Sequence, residues 1–331
     1  MKFALSTEQS DFARSLGDLL AGSKTPDIVR SWARGDLDPG RALLRQLADA
    51  GVTGLIVDES YDGLGASPVD LVVAFIELGR AAVPGPLVET AAFLPALLQR
   101  LDYRDLAAQW LPRLATGAAL GSVAVHPLTP RALDADIADL VLYADMTTVR
   151  RADISDRRTS VDAARRLFDI SASDVVADDA ADAVSAAVDH AVLACAAQLL
   201  GAGLKMLEIS TDYAKNRVQF GRPIGQFQAI KHHLADALVA VEMARPLLYG
   251  AATALSTDSP TSARDVSAAK VACGDAAYLV ARKALQVHGA IGYTAEYDLS
   301  LWLTKVRALQ SAWGTAEFHR TRIATALRGT A

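Results

Sequence analysis

The chain has 331 residues, 51% of them apolar, with 33 Lys+Arg against 38 Asp+Glu and a formal net charge of -5. That length admits two or three domains around a large core, and a mean hydropathy of +0.20 fits an alanine-rich globular protein. With no basic tail or arginine tract, the charge balance gives no support to a nucleic-acid partner.

In chain order, Ser6 or Thr7 can cap a helix over 6–21 whose apolar positions include Phe12, Leu16, Leu19 and Leu20. The same opening, MKFALSTEQSDFARSLGDLL, sets charges inside its apolar pattern and has no signal-peptide core, so a cytoplasmic protein is expected. TPDIVRSWARGDLDPG reads as a loop with a short helix, and a further helix over 38–50 ends at Gly51. The GLG after it stands alone, without the surroundings of a nucleotide loop. Helices resume at 67–83, 86–99 and 103–116, with Pro84, Pro86 and Pro112 marking starts or breaks.

Composition changes at residue 117. Short apolar runs near 120–125, 139–143, 146–149 and 167–170, separated by polar or proline turns, predict a few short strands. From about 180 the helical pattern returns, with helices expected at 180–216, 226–256, 263–288 and 295–325, the last broken near Trp313–Gly314. The expected fold is therefore mainly α with a small β domain. A helical domain over 1–116 is followed by a reduced β domain over 117–178 and a four-helix bundle over 179–331. No uninterrupted apolar run reaches the roughly 18 residues of a membrane span, so none is expected. Cys195 and Cys273 lie in alanine-rich helical runs and read as small core residues, with no cysteine–histidine spacing that would hold a metal.

The most informative stretch is 204–230, LKMLEISTDYAKNRVQFGRPIGQFQAI, where one long helix reaches a glycine-proline corner and reverses into another. AKNRVQFGRPIGQFQAIKHHLAD and the later QVHGAIGYTAEYDLSLWL resemble two motifs of the acyl-CoA dehydrogenase family, and the likeness extends in order through nearly the whole chain. The resemblance implies FAD as cofactor, acyl-CoA thioesters as substrates, and assemblies in which each flavin lies near a subunit boundary. By the same resemblance, Arg217 reaches the FAD pyrophosphate of the neighbouring subunit, as a planar guanidinium can. Gln219 touches the same ADP moiety and Phe220 packs beside it. Gln286, Gly289 and Ala290 close over the adenosine end, Ala290 replacing a frequent glycine. The bland alternative is a surface arginine and a helix-corner phenylalanine.

Three departures from the family matter. The β domain lacks convincing counterparts of the segments that hold the isoalloxazine ring, its first strand reading SVAVHPL. Trp313 stands before Gly314–Thr315 where a common family glutamate removes the α-proton, and its indole would fill volume otherwise open to an acyl chain. Glu317 matches a different family glutamate and is not the base. The fallback position on the preceding helix falls at Ala191, with His190 or Asp189 reached by a slip of one or two residues. Desaturation needs a base within hydrogen-bond reach of the α-carbon, so no catalytic residue and no metal site are assigned to this chain. The expectation is a subunit of an α2β2 enzyme with a longer homologous partner, desaturating an acyl-CoA of the steroid side-chain kind and passing electrons to an electron-transfer flavoprotein. Two alternatives stay open: a homomeric enzyme using Asp189 or another acid, and a scaffold that binds neither FAD nor acyl-CoA.

Other residues carry weaker signals. His232 and His233 are adjacent on a helix and face different directions, so packing or solvent is expected for them. His288 is read as shaping its turn, and Glu296 and Asp298 as meeting the bundle or capping its last region. Arg150, Arg151, Arg157, Arg158, Arg165 and Arg166, interleaved with Asp153, Asp156 and Asp162, read as a mixed surface. Trp110, Trp302 and Trp313 read as core or interface.

Overall fold

The computed structural model describes residues 4–329. Met1–Phe3, the start of the segment read for a leader, and Thr330–Ala331, the end of the expected bundle domain, lie outside the described residues. Helix α1 (Thr7–Gly22) begins with a reciprocal cap: the Ser6 hydroxyl accepts from the Gln9 N–H at 3.2 Å, and the Gln9 amide oxygen accepts from the Ser6 N–H at 3.1 Å. Two helices follow, α2 (Thr25–Arg34) and α3 (Asp38–Asp49). Where a loop with a short helix was expected, α2 runs for ten residues, because Val29 and Trp32 bury one face and Pro26 opens its first turn. Helix α4 (Pro68–Arg80) starts from a second capping box, Ser67 with Asp70.

The helix expected over 86–99 is composite, a five-residue π-helix at Glu89–Phe93 running into α5 (Leu94–Leu98). Leu94 N–H bonds to the Glu89 carbonyl five residues back. Pro95 explains the widening: it lacks an N–H and its ring would crowd the carbonyl four residues earlier in a regular helix. Pro112 does not break α6 (Arg104–Ala115) but sits within its last turn, so the helix ends three residues after the proline.

One five-stranded sheet follows, with strand order β1-β3-β4-β5-β2 for β1 (Gly121–Val125), β2 (Ala132–Leu133), β3 (Leu140–Ala144), β4 (Val149–Arg158) and β5 (Leu167–Ala177). β1 and β3 are parallel and the other pairs antiparallel. The run expected as a strand at 146–149 is mostly a turn. There the Asp145 carboxylate accepts from the Thr147 and Thr148 N–H groups at 2.8 and 2.7 Å, which also holds its carboxyl down at about 2. β4 extends nine residues beyond the apolar run at 146–149, because β5 pairs with it although β4 is largely exposed and β5 mostly half-buried. Arg166 corrects the mixed-surface reading of the arginines: it is 3% exposed and paired with Asp134 and Asp136.

The bundle comprises α7 (Ala181–Asn216), α8 (Gln228–Ser256) and α9 (Ser262–His288), followed by α10 (Leu299–Leu309) and α11 (Ala316–Gly329). The last expected helix is indeed split at Trp313 and Gly314, whose φ values are 58° and 99°. Helix α7 is the buried axis. Gly79 of α4 packs on the Gln198 backbone and Gly201 of α7 on the Ile76 carbonyl, so a Cβ at either glycine would overlap the opposite helix. One hydrophobic core runs from α1 through the inner strands into the bundle, and Cys195 and Cys273 are buried, free members of it.

Two helices, α7 and α8, are long and apolar enough to cross a membrane by length and hydropathy, although neither holds 18 residues in a row free of charged side chains and histidine. The α7 window is 89% buried within the protein, as befits a core helix, whereas the α8 window is only 28% buried. The glycine crossing generates a test. Gly201→Ala should destabilise the chain by about 1–3 kcal/mol through overpacking, read as a lower denaturant midpoint, and an unchanged midpoint would refute the close approach.

Candidate functional site

Helix α7 ends in a two-residue hairpin. Strands β6 (Val218–Gln219) and β7 (Arg222–Pro223) pair antiparallel, and the Ile224 N–H bonds to the Arg217 carbonyl at 2.8 Å below them. Both turn residues, Phe220 and Gly221, take positive φ, 52° and 78°, the geometry that matches strand twist in such short connections. For phenylalanine this conformation costs roughly 1–2 kcal/mol, and the ring is 91% exposed. Phe220 meets Phe227 edge-on at 6.1 Å, and the Arg222 guanidinium lies 4.3 Å from the centre of the Phe227 ring. Arg217 and Gln219 are exposed, and no side-chain partner engages either among the described residues.

The second motif reaches the same end of the bundle through aromatic packing. His288, the last residue of α9, stacks on Tyr213 of α7 at 4.2 Å, and Tyr297 lies 5.2 Å from His288 and 6.1 Å from Tyr213. His288 Nδ1 faces the Ala284 carbonyl at 2.8 Å, and burial lowers its pKa, so the ring acts as a neutral wedge that sets the turn. Gly289 follows with φ 66° and ψ -146°, a backbone region open essentially to glycine alone. Gln286, Gly289 and Ala290 are exposed. Gln286 lines a groove of about 550 Å³ with Tyr278, Leu279 and Lys283, the last of these bonded to Asp236 at 2.8 Å and to His233 at 3.2 Å. The helix ends that carry Arg217 and Gly289 are thus held together, while Gln286 looks onto the α8–α9 side.

The α10–α11 turn is built in the opposite sense. Trp313 is 1% exposed and lies 5.3 Å from Phe93 of the π-helix. Its carbonyl accepts from His319 Nε2–H at 2.9 Å, which leaves Nδ1 to accept from the Ser267 hydroxyl at 3.2 Å. Burial pushes His319 down to about 4, so it is neutral at physiological pH. Asp189 is buried and tied to Arg322 at 2.5 Å, clamping α7 to α11. Ala191 is wholly buried, and His190 bonds to the Ala186 carbonyl at 2.8 Å. Glu317 is exposed, and Asp298 pairs with Arg30 at 2.7 Å.

Sequence reasoning missed Glu89. It opens the π-helix, is 3% exposed, and has one carboxylate oxygen without a hydrogen-bond partner. Burial raises it to about 7 against the attraction of Arg165. The available signal was a single acid inside the apolar segment Leu87–Leu98.

The arrangement of helical layer, sheet and bundle defines an acyl-CoA dehydrogenase-type fold. Residues 6–118 match the model of the acyl-CoA dehydrogenase N-terminal domain and residues 181–328 that of the acyl-CoA dehydrogenase C-terminal domain. The chain belongs to the acyl-CoA dehydrogenase family, as its two motifs led us to expect. It is 33% identical over 306 residues to acyl-CoA dehydrogenase IpdE2 of Mycolicibacterium smegmatis, covering 91% of this chain and 93% of that protein. Against IpdE2 of Mycobacterium tuberculosis the identity is 32% over 303 residues, 90% of each. Among solved structures, butyryl-CoA dehydrogenase from Megasphaera elsdenii superposes with a TM-score of 0.89 at 22% identity, covering 99% of this chain and 100% of that one. The ChsE4-ChsE5 complex from Mycobacterium tuberculosis gives 0.87 at 21%, with full coverage of both chains.

Glu89 yields a test with a definite sign. Its folded pKa lies above the unfolded value of 4.5, so stability present at low pH is lost as pH rises towards and through about 7. Glu89→Gln should therefore gain on the native chain between pH 5 and pH 8, by at most on the order of 3 kcal/mol. Parallel pH–stability curves for the two proteins would contradict a buried, titrating Glu89.

Proposed function

We propose that this chain is one subunit of a heteromeric FAD-dependent acyl-CoA dehydrogenase. In this reading it holds the ADP half of a flavin whose ring, together with the catalytic base and acyl-CoA pocket, belongs mainly to a longer homologous partner in an α2β2 assembly. The observation that carries the reading is the contrast between the bundle's open corner and its closed turn. At the corner, the Arg217 and Gln219 side chains are exposed beside Phe220 and have no partner among the described residues. At the turn, Trp313 is sealed against Phe93, and Asp189 is committed to Arg322.

The residues present fit the phosphate and adenosine half of the cofactor. An unpaired guanidinium suits phosphate oxygens, Phe220 offers an aromatic edge or face, and Gly289 brings bare backbone to the surface. When bound, FAD supplies the acceptor for hydride leaving the β-carbon of the acyl-CoA. This chain's part is to bind and orient: Arg217 and Gln219 fix the diphosphate, Phe220 limits movement of the adenosine end, and Gln286, Gly289 and Ala290 close over it. No group at Trp313 or Ala191 can take the α-proton, so proton abstraction falls to the partner. Helix α8 offers that partner an apolar face, with Leu238, Val239, Met243 and Leu247 all exposed.

The same reading divides the chain at 1–116, 117–178 and 179–331, places the enzyme in the cytoplasm, and takes steroid side-chain CoA thioesters as the substrate class. An electron-transfer flavoprotein is the expected electron acceptor. The test is to purify the chain alone and together with its partner. The isolated chain should be colourless and inactive, and the pair active with about one flavin per two different chains. A yellow, active isolated chain would overturn the split site. In the active pair, Arg217→Ala should weaken FAD retention about ten- to a hundredfold, the loss of one charged hydrogen-bonding contact, and unchanged retention would reject its phosphate role.

A further inference from the structure

Helices α1, α4 and α7 and the chain leading into α10 enclose a groove of about 750 Å³, and none of the residues assigned to the flavin lines it. Most of its charges are already paired. Glu208 accepts from Arg80 and from Lys205, each at 2.7 Å, and Asp298 pairs with Arg30 at 2.7 Å. Three groups are left over. The Lys24 and Glu296 side chains are exposed and have no hydrogen-bond or ion-pair partner among the described residues. Glu77 is half-buried and held only by the Arg80 Nε at 3.4 Å, and burial raises its pKa against that attraction.

Lys24 stands at the start of α2, whose first turn has no side-chain cap. Beside it Thr25 is 5% exposed, and its hydroxyl, which has no hydrogen-bond partner, keeps access to the groove that the residue lines. An ammonium group, a free hydroxyl and the positive end of a helix together suit a carboxylate. Glu77 and Glu296 suit a cation in the same way. Leu20, Ile209 and Trp302 supply apolar and aromatic wall, and the volume lies within the range of small-molecule sites. We infer that this groove binds a zwitterionic α-amino acid with a large apolar side chain, its carboxylate at Lys24 and Thr25, its ammonium at Glu77 and Glu296, and its side chain against Leu20 and Trp302. A ligand of one sign would satisfy half of these groups and meet the other half as like charge. The inference stands apart from the shared-flavin reading, because none of the residues assigned to the cofactor takes part.

Calorimetric titration of the purified full chain with L-tryptophan tests it, with tryptamine, which lacks the carboxylate, and indole-3-propionate, which lacks the ammonium, as controls. Saturable binding of L-tryptophan is expected, about tenfold or more tighter than either control, the worth of one charged hydrogen-bonding contact. Lys24→Gln should weaken L-tryptophan about tenfold and leave tryptamine unchanged, whereas Glu296→Gln should weaken L-tryptophan about tenfold and leave indole-3-propionate unchanged. Lys24 and Glu296 are exposed, so neither variant disturbs the core. Absence of saturable L-tryptophan binding, equal affinity for the two single-charge analogues and L-tryptophan, or native affinity in either variant would each overturn the assignment. Flavin content of the two-chain complex is a separate readout, so failure here and failure of the split site are told apart.

Discussion

The crossing of α4 over α7 sets the geometry on which the rest of the molecule depends. At Gly79 and Gly201 no side chain separates the two backbones, so α7 can lie in the middle of the protein. Close contact of this kind is held by many small dispersion terms and tolerates little change in volume. Trp302 reinforces it, its indole N–H reaching the Gly79 and Arg80 carbonyls at 3.2 and 3.0 Å. Because α7 is fixed along its length, both of its functional regions are fixed with it: the middle that faces the α10–α11 turn, and the C-terminal end that carries the hairpin.

Those two regions use polar groups in contrasting ways. Around the turn, polar atoms are turned inward to hold an apolar plug. Lys270 donates to the Leu309 carbonyl at 2.9 Å at the end of α10, and Lys305 donates to the Val83 carbonyl at 3.1 Å with Asp162 at 3.8 Å. Burial lowers the pKa of both lysines, which are tolerated because a helix C-terminus or a carboxylate lies beside each. His319 stays neutral and bonds to the carbonyl of Trp313 itself. Around the corner the logic reverses: the aromatic trio Tyr213, His288 and Tyr297 forms the support, and the polar side chains are left facing solvent.

Much of this was legible in the sequence where periodicity or turn chemistry carried it. The long helices and the break at Trp313–Gly314 follow from apolar spacing and from a glycine at the required place. The corner was legible because Phe-Gly-Arg-Pro cannot continue a helix. What the sequence concealed was set by partners distant in the chain. β4 is a strand of charged residues that exists because β5 lies beside it. Arg166 looked like surface because the carboxylates that bury it, Asp134 and Asp136, sit about thirty positions away, in another turn of the sheet. The π-helix and its unpartnered Glu89 depend on Pro95 acting backwards on the preceding turn. Whether the corner residues touch a cofactor is a matter of a second molecule, which no single chain encodes by itself.

The corner is energetically unlike the packed turn. A phenylalanine held in left-handed backbone with its ring almost fully in solvent is unfavourable twice over, in conformation and in hydration. Phe227 meets it only edge-on, so the favourable contact within the chain is small. Arg217 sits at the C-cap of α7, whose partial negative end favours it, and among the described residues no side chain pairs with it. Helix α8 adds an exposed apolar surface of Leu238, Val239, Met243 and Leu247, with Met243 68% exposed.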